Sequence, residues 1–207
     1  RRFHTAEVLR IGFFDLAGLI EDPAEQLSDL AEVIVVALVQ AVRAELLGKL
    51  AGASTSAAEL GREPPELAVV ALGAFGAREL GYHSELELAF VVPDGADPAL
   101  ALRMSRAIVT ALSVSTVEGS LYTLDTRQRP TGTHGPLSVT AQRWREHHMS
   151  RACAEWEHAT VLNARVLGSG ERRFTSELGA IVDELSEHAA TVLAHSAQPT
   201  VGALVEA

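Results

Sequence analysis

Hydrophobic residues recur at helical spacing toward both ends of the chain and form short continuous runs near its centre. Apolar stripes over residues 5–20 and 23–50 predict two packing helices. Residues 67–72 and 86–92 are apolar runs rich in β-branched side chains, which is typical of buried strands. Further helices are predicted over residues 99–115, 140–165 and 171–195. This order indicates an α+β fold with a small mixed β-sheet and helices on one side of it.

The same pattern predicts three segments. Residues 1–60 are expected to form an N-terminal helical segment that packs on the core. Residues 61–140 are expected to form the core itself, with further short strands near residues 120–125 and at Val139. Residues 141–207 are predicted to be C-terminal helices. The sheet therefore carries helical extensions at both ends of the chain.

A glycine-rich turn separates the two central strands and is followed by acidic residues. Gly73 and Gly76 lie in the turn, and Glu85 and Glu87 then occupy alternate positions of a strand, so both point to one face. A third acid, Asp125, ends the later strand-like run. Spaced acids on a strand often form only a solvated face. Beside a glycine turn, three carboxylates are also the oxygen ligands that a divalent cation and a nucleotide triphosphate require.

Composition narrows the function classes. The 207 residues carry a formal net charge of −10, which argues against nucleic-acid binding. A single cysteine, Cys153, excludes an intrachain disulfide and favours a cytoplasmic protein. No apolar run is long enough for a membrane span, and we expect no membrane partner. His147 and His148 are neighbours on a predicted helix, so we expect them to point in different directions.

Three blocks of sequence resemble the glutamine synthetase adenylyltransferase family, also called glutamate–ammonia ligase adenylyltransferases. Residues 73–88 read GAFGARELGYHSELEL, which is similar to the family pattern G-x-L-G-G-R-E-L-x-x-x-S-D-x-D-L. Residues 125–137 read DTRQRPTGTHGPL, and residues 156–165 read WEHATVLNAR, each similar to a further family block. The resemblance extends over nearly the whole chain in order.

The resemblance implies a nucleotidyltransferase-like fold and an adenylyl-transfer reaction. The family transfers AMP from ATP to a tyrosine of glutamine synthetase, or removes it, with Mg²⁺ as the cofactor. It implies that Glu85, Glu87 and Asp125 are the catalytic and metal-binding residues. It also implies a set of residues that contact the nucleotide: Gly73, Gly76, Ser84, Arg127 and Arg129.

Departures from the family pattern leave other functions open. The family has Asp-x-Asp where this chain has Glu85 and Glu87, and Ala77 replaces a glycine of the turn. A longer carboxylate moves the metal-binding oxygens by more than an ångström, a distance over which catalytic geometry is sensitive. One alternative is a degenerate nucleotidyltransferase-fold domain that acts as a binding or regulatory module. Another is an active enzyme with a different acceptor, such as another protein or a small molecule.

Overall fold

The part of the chain that the structure describes contains seven α-helices, five strands and one short 3-10 helix, Gly132–His134. The computed structural model describes residues 1–52, 63–117, 119–130, 132–168 and 172–196. The helices are α1 (Arg2–Leu16), α2 (Pro23–Gly52), α3 (Gly73–Ala77), α4 (Pro98–Ser113), α5 (Ala141–His148), α6 (Glu155–Val161) and α7 (Arg172–Ser196). The strands are β1 (Ala68–Ala71), β2 (Leu86–Val92), β3 (Leu124–Asp125), β4 (Ser138–Thr140) and β5 (Arg165–Leu167). The predicted α+β class is confirmed.

The five strands form one mixed sheet with β2 at its centre. β1 pairs antiparallel with both β2 and β5. The other edge of β2 is shared by two short parallel strands, β3 beside its first residues and β4 beside its last. The sheet order β3-β2-β1-β5 therefore leaves β3 next to the start of the strand that carries the paired acids.

Helices cover both faces of the sheet, so the prediction of helices on one side is wrong. Alternate residues of β1 and β2 feed two separate apolar clusters, as the two-residue period of a strand requires. One cluster joins the sheet to α1, α2 and α4 and includes Ile11, Leu30, Val35, Val69, Leu88, Phe90, Met104 and Ile108. The other joins it to α5, α6 and α7 and includes Val70, Leu72, Val91, Trp144, Val161, Leu178 and Leu185.

Local sequence signals explain where several helices begin and end. Asp97 caps α4, because its side chain accepts the backbone N–H groups of Ala99 and Leu100 at 2.9 and 3.2 Å. Pro98 occupies the first helical position, where its missing N–H costs nothing. Arg78 ends the short helix α3 in the left-handed conformation, with φ of 63°. Within the described residues, no helix is long and apolar enough to cross a membrane.

The predicted helix over residues 140–165 is wrong, and so is much of the strand over 120–125. The first region contains α5, a turn over residues 149–154, α6 and the start of β5. Trp156 in α6 is 53% exposed, whereas Trp144 in α5 is buried. Only Leu124 and Asp125 of the second region are in a strand. The predicted boundary at residues 60–61 lies outside the described residues, and the three-segment division stays a prediction.

Candidate active site

The three predicted acids lie on one face at the edge of the sheet. Glu87 of β2 and Asp125 of β3 are register partners across a parallel strand pair, which places their side chains side by side. Glu85 precedes β2 by one residue and has the same parity as Glu87, so it extends the same acidic face. The degree of exposure differs among them. Asp125 is buried, Glu87 is partly buried and Glu85 is exposed.

Arg127 places a positive charge among these carboxylates. Its Nε lies 3.0 Å from both carboxylate oxygens of Asp125, its Nη2 donates to Oδ2 at 2.6 Å, and its backbone N–H donates to Oδ1 at 2.9 Å. These hydrogen bonds hold the pKa of the Asp125 carboxyl below its usual value, although burial opposes them. Glu85 and Glu87 act on the guanidinium of Arg127 as well and raise its pKa together with Asp125.

Glu87 experiences the opposite influence. Burial raises the pKa of the Glu87 carboxyl above its usual value, and the negative charges of Asp125 and Glu85 raise it further, while Arg127 lowers it. Like charges that are held close together disfavour ionisation of one of them. The site therefore has an excess of negative charge that a cation would relieve.

Of the two glycines predicted to contact the nucleotide, only Gly73 lies against one of the three acids. Gly73 has φ of +51°, and a Cβ atom built there would lie 2.5 Å from Oε1 of Glu87. Gly76 is instead buried against backbone, because its Cβ would lie 2.3 Å from the carbonyl oxygen of Asn163. Gly73 therefore lies against a predicted metal ligand, whereas the close neighbours of Gly76 are parts of the fold.

Ser84 lines a cavity of about 350 Å³ next to the acidic face. Its Oγ accepts the backbone N–H of Gly81 at 2.8 Å, which shapes the turn before β2. The cavity lies between α1, this turn and the segment before β3, and its lining includes His4, Tyr82, His83, Ser84 and Tyr122. Because Glu85 follows Ser84 directly, the cavity adjoins the acidic face.

Arg129 differs from Arg127 in its surroundings. It is 8% exposed, and its guanidinium donates to the carbonyl oxygen of Thr126 and, at 3.1 Å, to the Thr126 hydroxyl. Its Nε and the Oε1 atom of neighbouring Gln128 are buried without a hydrogen-bond partner among the described residues. Burial lowers the pKa of Arg129, and the charge of Asp125 partly restores it. Arg129 therefore stabilises the loop after β3 through its hydrogen bonds to Thr126.

Two further arginines of the similar blocks stabilise the framework, a role that the sequence analysis did not assign. Arg165 in β5 donates to the carbonyl oxygen of Gly76 at 2.9 Å and pairs with Glu32 of α2 at 2.8 Å. Arg78 pairs with Glu25 and Asp29, also in α2, at 3.1 and 2.5 Å. Both arginines therefore tie the end of α3 to α2. A signal for this was present, because α2 carries acids one helical turn apart.

The fold and the acidic face define a nucleotidyltransferase-like domain. The sequence profile described as "Glutamate-ammonia ligase adenylyltransferase" matches residues 1–197. The chain therefore belongs to the glutamate–ammonia ligase adenylyltransferase family.

Several relatives in this family are named "Bifunctional glutamine synthetase adenylyltransferase/adenylyl-removing enzyme". The protein from Neisseria meningitidis serogroup B is 35% identical over 83% of this chain and 18% of its own length. The protein from Ralstonia nicotianae is 31% identical over 97% of this chain and 22% of its own length. The protein from Aromatoleum aromaticum is 32% identical over 94% of this chain and 20% of its own length. The chain spans about a fifth of the relatives it matches.

Proposed function

We propose that this chain is a nucleotidyltransferase domain that transfers AMP from ATP to a tyrosine of glutamine synthetase or removes that AMP. The observation that carries the proposal is the pairing of Glu87 with Asp125 across two strands, with Glu85 on the same face. Membership in the family supports the acceptor, and the bifunctional name of the relatives supports both directions equally. The lone cysteine fits a cytoplasmic setting.

The acidic face fits a divalent cation, which we propose is Mg²⁺. Burial, and then the negative charges of Asp125 and Glu85, raise the pKa of the Glu87 carboxyl. Hard cations take carboxylate and phosphate oxygens as ligands. Glu85, Glu87 and Asp125 would hold the ion. When bound, such an ion would offset part of the negative charge of the triphosphate and polarise a phosphoryl oxygen.

The chain's own residues would bind the nucleotide around this face. The fork of Arg127 matches phosphate oxygens, and its side chain is exposed enough to exchange Asp125 for a triphosphate. The Ser84 hydroxyl accepts from Gly81 and keeps its own proton to donate to a phosphate oxygen. Gly73 lacks a side chain and so leaves the space that the Glu87 carboxylate occupies. We propose that Arg129 adds positive charge and that Gly76 keeps the turn close to the sheet.

Asp125 would also serve as the base in transfer to tyrosine. The hydrogen bonds from Arg127 lower the pKa of the Asp125 carboxyl and so weaken it as a base. Transfer of the Arg127 guanidinium to the triphosphate would remove those bonds and restore the basicity of the carboxylate. In the proposed step the tyrosine oxygen attacks the α-phosphorus, its proton passes to Asp125, and pyrophosphate leaves. In removal of AMP, phosphate would attack the same phosphorus to form ADP, and the tyrosine oxygen would leave and take up a proton. Arg127 and the bound cation, rather than the carboxylates, would hold the attacking anion.

Calorimetric titration with a non-hydrolysable ATP analogue, with and without Mg²⁺, tests this function. We expect metal-dependent binding in the micromolar range that is lost in Glu85→Ala and Glu87→Gln. Glu21→Gln, at an exposed acid between α1 and α2, is the matched control and should bind like the wild type. Absence of binding at millimolar nucleotide would contradict the proposal and favour a binding or regulatory module.

Restoring the family's aspartates at both positions then distinguishes the remaining cases. Suppose that the Glu85→Asp, Glu87→Asp double variant gains nucleotide binding that the wild type lacks. The chain would then be a decayed form of the enzyme. If the double variant also fails to bind, the domain has a role that does not use the nucleotide.

A further inference from the structure

The turn between α5 and α6 gathers metal-ligating side chains that the candidate active site does not use. His147, His148 and Cys153 each offer one ligand atom, and these atoms lie within 4.8 Å of one another. The expectation that the two histidines point apart is therefore wrong. Their rings lie 5.0 Å apart between centroids, and the turn over residues 149–154 brings Cys153 back to them.

The spacing of this cluster is close to that of a zinc site. Zinc is bound by histidine nitrogen at about 2.0–2.1 Å and by cysteine sulfur at about 2.3 Å, so tetrahedral ligands lie about 3.5 Å from one another. Nδ1 of His148 is already 3.7 Å from Sγ of Cys153. The widest pair in the cluster needs to close by about 1 Å, which rotation of an imidazole ring or a thiol can supply.

Glu157 provides the outer contact that zinc-binding histidines usually have. Its Oε1 lies 2.9 Å from Nε2 of His147, and its Oε2 accepts the backbone N–H of Ala154 at 2.9 Å. A carboxylate that accepts from one ring nitrogen fixes the ring and increases the basicity of the other nitrogen. With Nε2 held by Glu157, Nδ1 is the nitrogen of His147 that remains to bind a metal. Glu157 is itself held in place by the first turn of α6.

His148 is buried beside Cys153. It is 1% exposed, and Nδ1 is the ring nitrogen that faces Sγ of Cys153. Nδ1 is therefore its ligand atom in this cluster, and Nε2, which has no hydrogen-bond partner among the described residues, would carry the ring proton. A cavity of about 350 Å³ adjoins the cluster and is lined in part by Cys153, His158 and His188. This cavity supplies an entry path for an ion.

We propose that His147, His148 and Cys153 bind one zinc ion, with Glu157 orienting His147 and a water completing the coordination. The ion would join the last turn of α5 to the first turn of α6. Both helices pack against α7, so the ion would stabilise the helical layer on one face of the sheet. The proposal does not depend on nucleotide transfer, because it uses none of the residues placed at the acidic face.

Metal titration of the reduced 207-residue chain tests this site. We expect one zinc ion per chain in competition with a chromophoric chelator. Substitution by cobalt should give the visible bands of a tetrahedral ion and a thiolate-to-metal charge-transfer band. Cys153→Ser should abolish the charge-transfer band and weaken zinc binding by more than about 100-fold. His147→Gln should weaken zinc binding to a similar extent. Glu157→Gln should weaken binding by about 10–100-fold.

His134→Gln is the matched control, since this exposed histidine lies outside the cluster and should leave affinity unchanged. Circular dichroism of each variant checks that it is folded. His147 is 21% exposed, so its variant keeps the test decisive if Cys153→Ser does not fold. A folded wild-type chain that binds no zinc would overturn the proposal. Zinc affinity that is the same in His147→Gln, or a cobalt spectrum without the thiolate band, would also overturn it.

Discussion

Substitution of Gly76 by alanine tests the packing that supports the acidic face. The added Cβ would lie 2.3 Å from the carbonyl oxygen of Asn163 and 3.0 Å from that of Ala71. Both neighbours are backbone atoms, so no flexible side chain can move aside. One belongs to the turn before β5 and the other ends β1, and relief of the clash must therefore separate α3 from the sheet.

The expected loss of stability is about 2 kcal/mol. Overpacking of a tight interior costs about 1–3 kcal/mol. A clash with backbone on two sides belongs at the upper end of that range. Against it stands the better helix propensity of alanine, about 1 kcal/mol relative to glycine. For a chain of this length the net loss corresponds to a decrease in Tm of about 4–8 °C.

Urea unfolding followed by circular dichroism measures this loss, with Gly179→Ala as the matched control. Gly179 lies within α7, and a Cβ there would meet no atom within 4 Å. Its substitution should increase the free energy of unfolding by about 0.5–1 kcal/mol. The two alanine variants should therefore shift the urea midpoint in opposite directions at similar m-value. A midpoint for Gly76→Ala at or above that of the wild type would refute the packing argument.

Three other substitutions have expected outcomes. Glu87→Gln should stabilise the free chain by about 0.5–1 kcal/mol at neutral pH, as measured by urea unfolding. The folded pKa of Glu87 is raised, so wild-type stability falls as pH rises through the range between the usual pKa and the raised one, and the variant should lose that dependence. Asp125→Asn should remove a pH dependence of the opposite sign from the free energy of unfolding, as measured by urea unfolding over a series of pH values. The folded pKa of Asp125 is lowered, so its contribution is present above the usual pKa and is lost as pH falls through the lowered one. Arg165→Ala should lower the free energy of unfolding by about 2 kcal/mol, because the Gly76 carbonyl loses a charge-assisted hydrogen bond, and thermal unfolding would show it.

The central strands were predictable because their apolar runs are continuous and end at turn residues. β2 begins at Leu86 and ends at Val92, as its composition predicts. The shared face of Glu85 and Glu87 follows from strand periodicity alone. Asp125 is different, since a strand of two residues has no periodic pattern. It was grouped with the paired acids because it ends a strand-like run, and the resemblance of the sequence blocks implied the same grouping. The register of β3 makes Glu87 and Asp125 neighbours.

The misplaced helix shows what periodicity cannot detect. Apolar residues continue at helical spacing through residues 140–165, so their period does not show the break between α5 and α6. Glu157 accepts the backbone N–H of Ala154 and starts a new helix there. Arg165 then begins β5, which pairs with β1, and its side chain forms an ion pair with Glu32 of α2. Contacts between residues this far apart leave no local signal, and the close approach of Gly76 to Asn163 is of the same kind.

The glutamates at the acidic face differ in how much freedom the fold leaves them. Glu85 precedes β2 and is exposed, so rotation of its side chain can absorb an additional methylene. Glu87 is held by pairing with Asp125, and its carboxylate extends to within 2.5 Å of where a Cβ of residue 73 would be. The longer side chain therefore occupies space that exists only because residue 73 is glycine. On this geometry Glu87 depends on Gly73, and Gly73→Ala should displace the Glu87 carboxylate from the acidic face.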